Sequence, residues 1–130
     1  MKKLITMLVI FAVMLVFAGV ELWYTSNFYS KTHNNLVAAN ESIEVNKDKL
    51  DNPETIRLVD EANTQWEKGK RGLLMMANHH VIRYVDEKFV SLMEQVRCNN
   101  KDDASVTVKV LISFIKDLRA DIRPKAGNIF

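Results

Sequence analysis

The side chains best suited to chemistry in this chain are three histidines, one cysteine and three adjacent carboxylate pairs: His33, His79, His80, Cys98, Asp60-Glu61, Asp86-Glu87 and Asp102-Asp103. A catalytic zinc needs three protein ligands converging on one point. Neighbours on a helix point about 100° apart, so His79 and His80 share a metal only at a turn, with Asp86 or Glu87 as the nearest helpers. His33 is far away in sequence. The sequence therefore predicts no metal site and no cofactor. Each carboxylate pair diverges in the same way and reads as one solvated charge beside one cap or ion-pair partner. A single cysteine makes no internal disulfide and no thiol-exchange motif. Cys98 is expected as a small, partly buried residue near a helix end, with an intermolecular disulfide as its one redox option. The chain has no glycine-rich phosphate loop and no Gly-x-Ser-x-Gly, so no catalytic constellation emerges and a non-enzymatic role is expected. The candidates for ligand or partner contact are Trp66, His79 and His80, with a core role favoured for Trp66 because its large ring suits the centre of a helical packing.

The elements that must hold these residues start with a membrane signal. Met1-Lys2-Lys3 precedes seventeen residues, Leu4 to Val20, among which only Thr6 is polar. As a helix this run rises about 25 Å, and continuing it through Trp23 and Tyr24 reaches the roughly 30 Å of a hydrocarbon core. The two rings suit the headgroup layer, and Lys2 and Lys3 keep the start in the cytoplasm by the positive-inside bias. The expected organisation is a cytoplasmic start at 1–3, a transmembrane signal-anchor at 4–24, a first bundle helix or neck at 25–50 and a helical bundle at 51–130. That places a single-pass protein in a cytoplasmic membrane with its N-terminus inside and its C-terminal domain outside. The alternative is export with cleavage after Val16-Phe17-Ala18, a poor small-x-small pattern.

Charge narrows the partners. All 16 acidic residues and all but two of the 18 basic ones follow Val20, so the net +2 comes from Lys2 and Lys3 and the remainder is neutral. A nucleic-acid binder concentrates basic residues on one face, whereas the densest group here, Lys68, Lys70 and Arg71, includes Glu67. No nucleic-acid partner is expected.

Four glycines and two prolines leave long stretches free for helix. Tyr29, Leu36, Ala39, Ile43 and Leu50 keep helical spacing, but the polar stretch from Thr25 to Asn35 predicts a break or frayed neck. Asn52-Pro53-Glu54 reads as cap, first helical position and dipole-matching acid. The helix it opens carries Ile56, Val59, Asn63, Trp66, Leu73 and Met76 on one face, crossing Gly69 and Gly72 in phase. A break is expected at Ala77-Asn78-His79-His80. Ile82, Val85, Phe89, Leu92 and Val96 then mark a third helix. Asp102 or Asp103 is expected to cap a fourth through Val108, Leu111, Ile115, Leu118 and Ile122, although Val106 to Val110 alternates like a strand. Pro124 stops it. The fold class predicted is all-α, an N-terminal transmembrane helix followed by an antiparallel bundle of about four helices.

Several of these features together resemble a bacterial family catalogued as domain of unknown function 4363. They are the basic start and apolar segment, Trp66 followed by the basic cluster from Lys68 to Arg71, Leu73-Leu74, a histidine at 79 or 80, the stripe from Ile82 to Val96, and the terminal Asn128-Ile129-Phe130. The resemblance covers most of the chain, and most weakly 23–50. It implies a membrane-associated helical protein with a membrane-protein partner, and it supplies no catalytic residues. Two roles are consistent with the sequence. One is an anchored, extracytoplasmic interaction or accessory protein for another envelope component. The other is a small-molecule-binding or sensor domain with a pocket near Trp66 and His80, acting through a partner because three residues ahead of the apolar run form no output module.

Overall fold

Forty-four residues, Lys2–Val45, form one uninterrupted helix, α1, in the computed structural model, which describes residues 1–73 and 79–122. It is followed by α2 (Pro53–Leu73), α3 (His79–Arg97) and α4 (Lys101–Ile122). No strand occurs among the described residues. α1 packs against α2 and α4, and α3 packs against the same two helices. The four thus form a ring with α1 and α3 on its diagonal, each helix antiparallel to its neighbours, as the fold class anticipated.

The two halves of α1 meet different surroundings. From Met1 to Tyr24 every residue is exposed, and within this stretch lies a window long and apolar enough to cross a membrane, none of it buried in the protein. From Thr25 onward the helix enters the bundle, burying Thr25, Phe28, Tyr29, Thr32, Leu36, Ala39, Ser42 and Ile43. The expected break between Thr25 and Asn35 is absent. Thr32 is tolerated in the core because its hydroxyl donates to the Phe28 carbonyl one turn back, at 2.9 Å, which satisfies the polar atom without water. α1 stops at Val45 rather than at Leu50. Asn46 turns the chain there, with its backbone and side-chain N–H groups both donating to the Ser42 carbonyl at 2.9 Å.

The distal loops are fixed by asparagines. Asn52 accepts from the Thr55 amide at 2.9 Å and caps α2 as its sequence position indicated. Ser42 and Thr55 share a buried 2.7 Å hydrogen bond that joins α1 to the first turn of α2. At the end of α3, Asn99 adopts φ 55°. The Asn100 and Asn99 amides reach back to the Gln95 and Val96 carbonyls at 2.8 and 3.1 Å, the bonding pattern of a Schellman motif. Asn99 then accepts from the Leu50 amide at 2.8 Å, so one side chain ties the α1–α2 loop to the α3–α4 loop while Leu50 sits in the core. Asn100, rather than Asp102 or Asp103, caps α4: it pairs with Asp103 through a 2.7 Å side-chain bond and a longer 3.4 Å bond from the Asp103 amide.

The core of α3 comprises Ile82, Val85, Phe89, Leu92 and Val96, all of the expected stripe. On α4, Val108, Leu111, Ile115 and Leu118 are buried as expected, joined by Ala104 and Thr107; the strand-like Val106 to Val110 is helical. The face of α2 keeps Val59 and Trp66 of the expected stripe and differs from it at Ile56 and Asn63. Thr55, Val59, Ala62, Trp66 and Gly69 are buried, while Ile56 and Asn63 are half-exposed. Small residues face inward there because the Phe28 ring lies directly on Gly69, where a Cβ would fall within the ring. Met76 lies outside the described residues.

Adding a methyl group at these two glycines has opposite expected effects. Gly69→Ala gains helix propensity but collides with a buried ring wedged beside Tyr29 and Trp66, so it should lower unfolding stability by about 1–3 kcal/mol. Gly72→Ala meets Tyr24 only at an ordinary 3.6 Å and should raise stability by up to about 1 kcal/mol. Denaturant unfolding of both full-length variants in detergent checks the signs.

Candidate functional site

Trp66 is fully buried among aromatic rings, with Phe28 at 5.9 Å and Phe89 stacked at 6.2 Å between centroids. A buried indole N–H needs an acceptor, and Asp86 of α3 provides it at 2.6 Å. The same carboxylate takes a 3.3 Å contact from Lys70, whose ammonium also bonds Glu67 at 2.9 Å. Glu67 holds the Lys70 pKa above its ordinary value against the opposing effect of burial, and Asp86 adds to the rise. Trp66 is therefore a core residue with a polar tether across α2 and α3. With no exposed surface of its own, it offers no face to a ligand.

His79 and His80 open α3 with exposed side chains; Ala77 and Asn78, the rest of the expected break, lie outside the described residues. His33 lies on α1, and no group of three or more His, Cys, Asp or Glu suited to a metal occurs among the described residues. The structure thus buries Trp66 and leaves the two histidines facing solvent. Cys98 is exposed rather than partly buried, because the chain leaves the helix after Arg97 and turns outward. The carboxylate pairs divide as their divergence implies. Glu61 bonds Arg57 at 2.6 Å beside an exposed Asp60, and Asp86 holds Trp66 beside an exposed Glu87. Of the anchor positions, Leu4, Val20, Trp23 and Tyr24 are all at least half-exposed.

Two features were not legible in the sequence. On the α1–α4 face, Glu44 accepts from Ser105 at 2.7 Å and pairs with Lys47 at 2.8 Å and Lys109 at 3.3 Å. These partners, Lys47 first, hold its carboxyl down at about 2. At the other end of the same face, a cavity of about 300 Å³ is lined by Tyr29, His33, Ile115, Lys116 and Arg119. The Tyr29 hydroxyl and Arg119 Nε are both buried without a hydrogen-bond partner, and burial pushes the Tyr29 phenol well above its ordinary pKa. Tyr29 sits at a helical core position and Arg119 reads as a surface charge, so neither sequence pattern announces a pocket.

Replacing Asp86 by Ala should strand the buried Trp66 N–H and cost about 1–3 kcal/mol, whereas Asp86→Asn, which keeps an acceptor, should cost less; unfolding midpoints distinguish the two. Because the folded carboxyl of Glu44 lies below its ordinary 4.5, its contribution to stability is complete above that value and is lost as pH falls through about 2. Glu44→Gln should accordingly flatten the acid dependence of the melting temperature across that window without steepening it elsewhere.

No curated protein and no solved structure gives a match to this chain. A family model matches residues 23–129, a span that takes in the whole bundle and the weakly resembling stretch 23–50 but begins after the apolar segment. The chain belongs to the family described as Domain of unknown function (DUF4363).

Proposed function

We propose that the protein is a membrane-anchored helical bundle, held on the side of the bilayer away from its N-terminus, that serves as an interaction or accessory protein for another envelope component. The observation that carries this reading is the continuity of α1, which runs unbroken from an exposed apolar segment into a packed core. Residues 4–24 rise about 30 Å as a helix, matching a hydrocarbon core. An exposed apolar cylinder of that length is costly in water and stable in lipid. Because no hinge separates the two halves, the bundle is fixed in height and orientation relative to the segment below it. A rigid mount of this kind suits a protein that positions a surface rather than one that turns over substrate.

Lys2 and Lys3 favour retention of the N-terminus in the cytoplasm, which puts the bundle outside. The sensor reading placed its pocket beside Trp66 and His80, and enclosure of Trp66 by Phe28, Phe89 and Asp86 weighs against that location.

A reporter active only outside the membrane, fused after Phe130, should be active; activity confined to the cytoplasm would reverse the orientation. The mature mass should retain the first 18 or so residues, and their loss would replace anchoring by export. Photocrosslinkers placed on exposed bundle positions such as Val90 should capture another envelope component in intact cells. Recovery of the protein alone, where known membrane complexes are captured, would remove the accessory role.

A further inference from the structure

We propose that the cavity between α1 and α4, at the end of the bundle where the apolar segment enters, binds a phosphoryl oxyanion. Its polar lining consists of a phenol, an imidazole, an ammonium and a guanidinium, from Tyr29, His33, Lys116 and Arg119, and no carboxylate lines it among the described residues. The decisive observation is the pair of unused buried groups. The Tyr29 side chain is 1 % exposed, and its hydroxyl and the Arg119 Nε have no partner. Burying polar groups unpaired costs more than the net worth of a typical hydrogen bond, so a fold that leaves two at one cavity invites a ligand able to accept from both.

The ligand's chemistry follows from the lining. Arg and Lys donate only, the phenol remains protonated because burial raises its pKa, and the anionic oxygens of a phosphoryl group supply the acceptors. The donors come from two helices, Tyr29 and His33 on α1 and Lys116 and Arg119 on α4, and a tetrahedral phosphoryl group presents acceptors in several directions. The volume, about 300 Å³, lies at the lower end of small-molecule sites, large enough for a phosphoryl group with a substituent.

Two sources share this chemistry. Tyr29 stands five residues beyond Tyr24, about 7 Å along the helix, and His33 about 13 Å. With Trp23 and Tyr24 at the headgroup layer, the cavity opens at its outer edge, within reach of a lipid phosphate and equally open to a soluble one. The site itself does not rest on the anchoring proposed above; only its lipid source does.

The test uses the full chain, labelled with ¹⁵N-arginine, in micelles of a maltoside detergent that contains no phosphate. The Arg119 Nε–Hε resonance is followed during addition of inorganic phosphate, of phosphatidylglycerol mixed into the micelles, and of sodium chloride at matched ionic strength. A saturable shift with phosphate identifies a soluble phosphoryl ligand, and one with phosphatidylglycerol alone identifies a lipid headgroup; sodium chloride should give neither. Tyr29→Phe keeps the probe and should weaken binding about tenfold while raising the melting temperature of the unliganded protein, since it removes a buried unpaired hydroxyl. Lys116→Gln should weaken binding with no change in helix content. Absence of a saturable shift with either phosphate source, or undiminished affinity in Tyr29→Phe, would overturn the site even if the protein proves to be membrane-anchored.

Discussion

α1 must serve two surroundings with one unbroken backbone, and the rest of the architecture follows from how it does so. Its first half is largely apolar and exposed along its whole length, while its second half carries a single buried face. A helix hydrophobic all round is stable only in a large core or in lipid, and the bundle beneath is too small to wrap it. The division at Tyr24 and Thr25 therefore sets where packing begins. α2 and α4 flank the buried half, and α3 closes the ring on the diagonal.

Rigidity at that division comes from the aromatic block just inside it. Phe28 lies on the bare backbone of Gly69 and against Trp66, and Trp66 is tied to Asp86 on the next helix. Removing the side chain at position 69 lets α1 and α2 approach closely, and the large rings fill the space made by the diagonal pair. Three helices are thus linked by one contact chain of ring, glycine, indole and carboxylate. The polar tether adds direction to packing that hydrophobic burial alone leaves free to slide. At the opposite end the same task falls to asparagines, with Asn99 holding the Leu50 amide across two loops.

The sequence reveals most where the core is built from large apolar side chains. α3 is legible throughout because all five inward positions are Ile, Val, Phe or Leu at strict helical spacing. α2 is readable as a helix with Val59 and Trp66 on its inner face, but Thr55, Ala62 and Gly69, which complete that face, carry too little hydrophobicity to mark it. Thr32 contributed to the expected frayed neck for a similar reason: a threonine that bonds its own helix is polar in composition and apolar in effect. The apolar character of the first helical stretch and the capping role of Asn52 are local properties, which is why they could be read directly. The Glu44 cluster and the cavity at Tyr29 and Arg119 join residues from opposite ends of the domain, and an unpaired buried atom exists only once the chain has folded.

Charge shows the same passage from local rule to global consequence. α2 and α4 each begin with acids in the first turn, Glu54 and Asp102 with Asp103, and end with bases, Lys70 with Arg71 and Arg119. Each arrangement needs no explanation beyond the helix dipole, which favours negative charge at the start and positive charge at the end. In an antiparallel bundle, however, both of these helices end beside the apolar segment of α1. Helix ends that are separately ordinary are thereby gathered, so that the last turns of α2 and α4 bring Lys70, Arg71 and Arg119 to the region where the segment emerges. Lys70 and Glu67 offset one another there, while Arg71 and Lys116 stay exposed, as do the acids Glu21 and Asp117. Attraction for anionic groups at that end thus arises from parity of the fold, and the buried donors of Tyr29 and Arg119 give it a defined place.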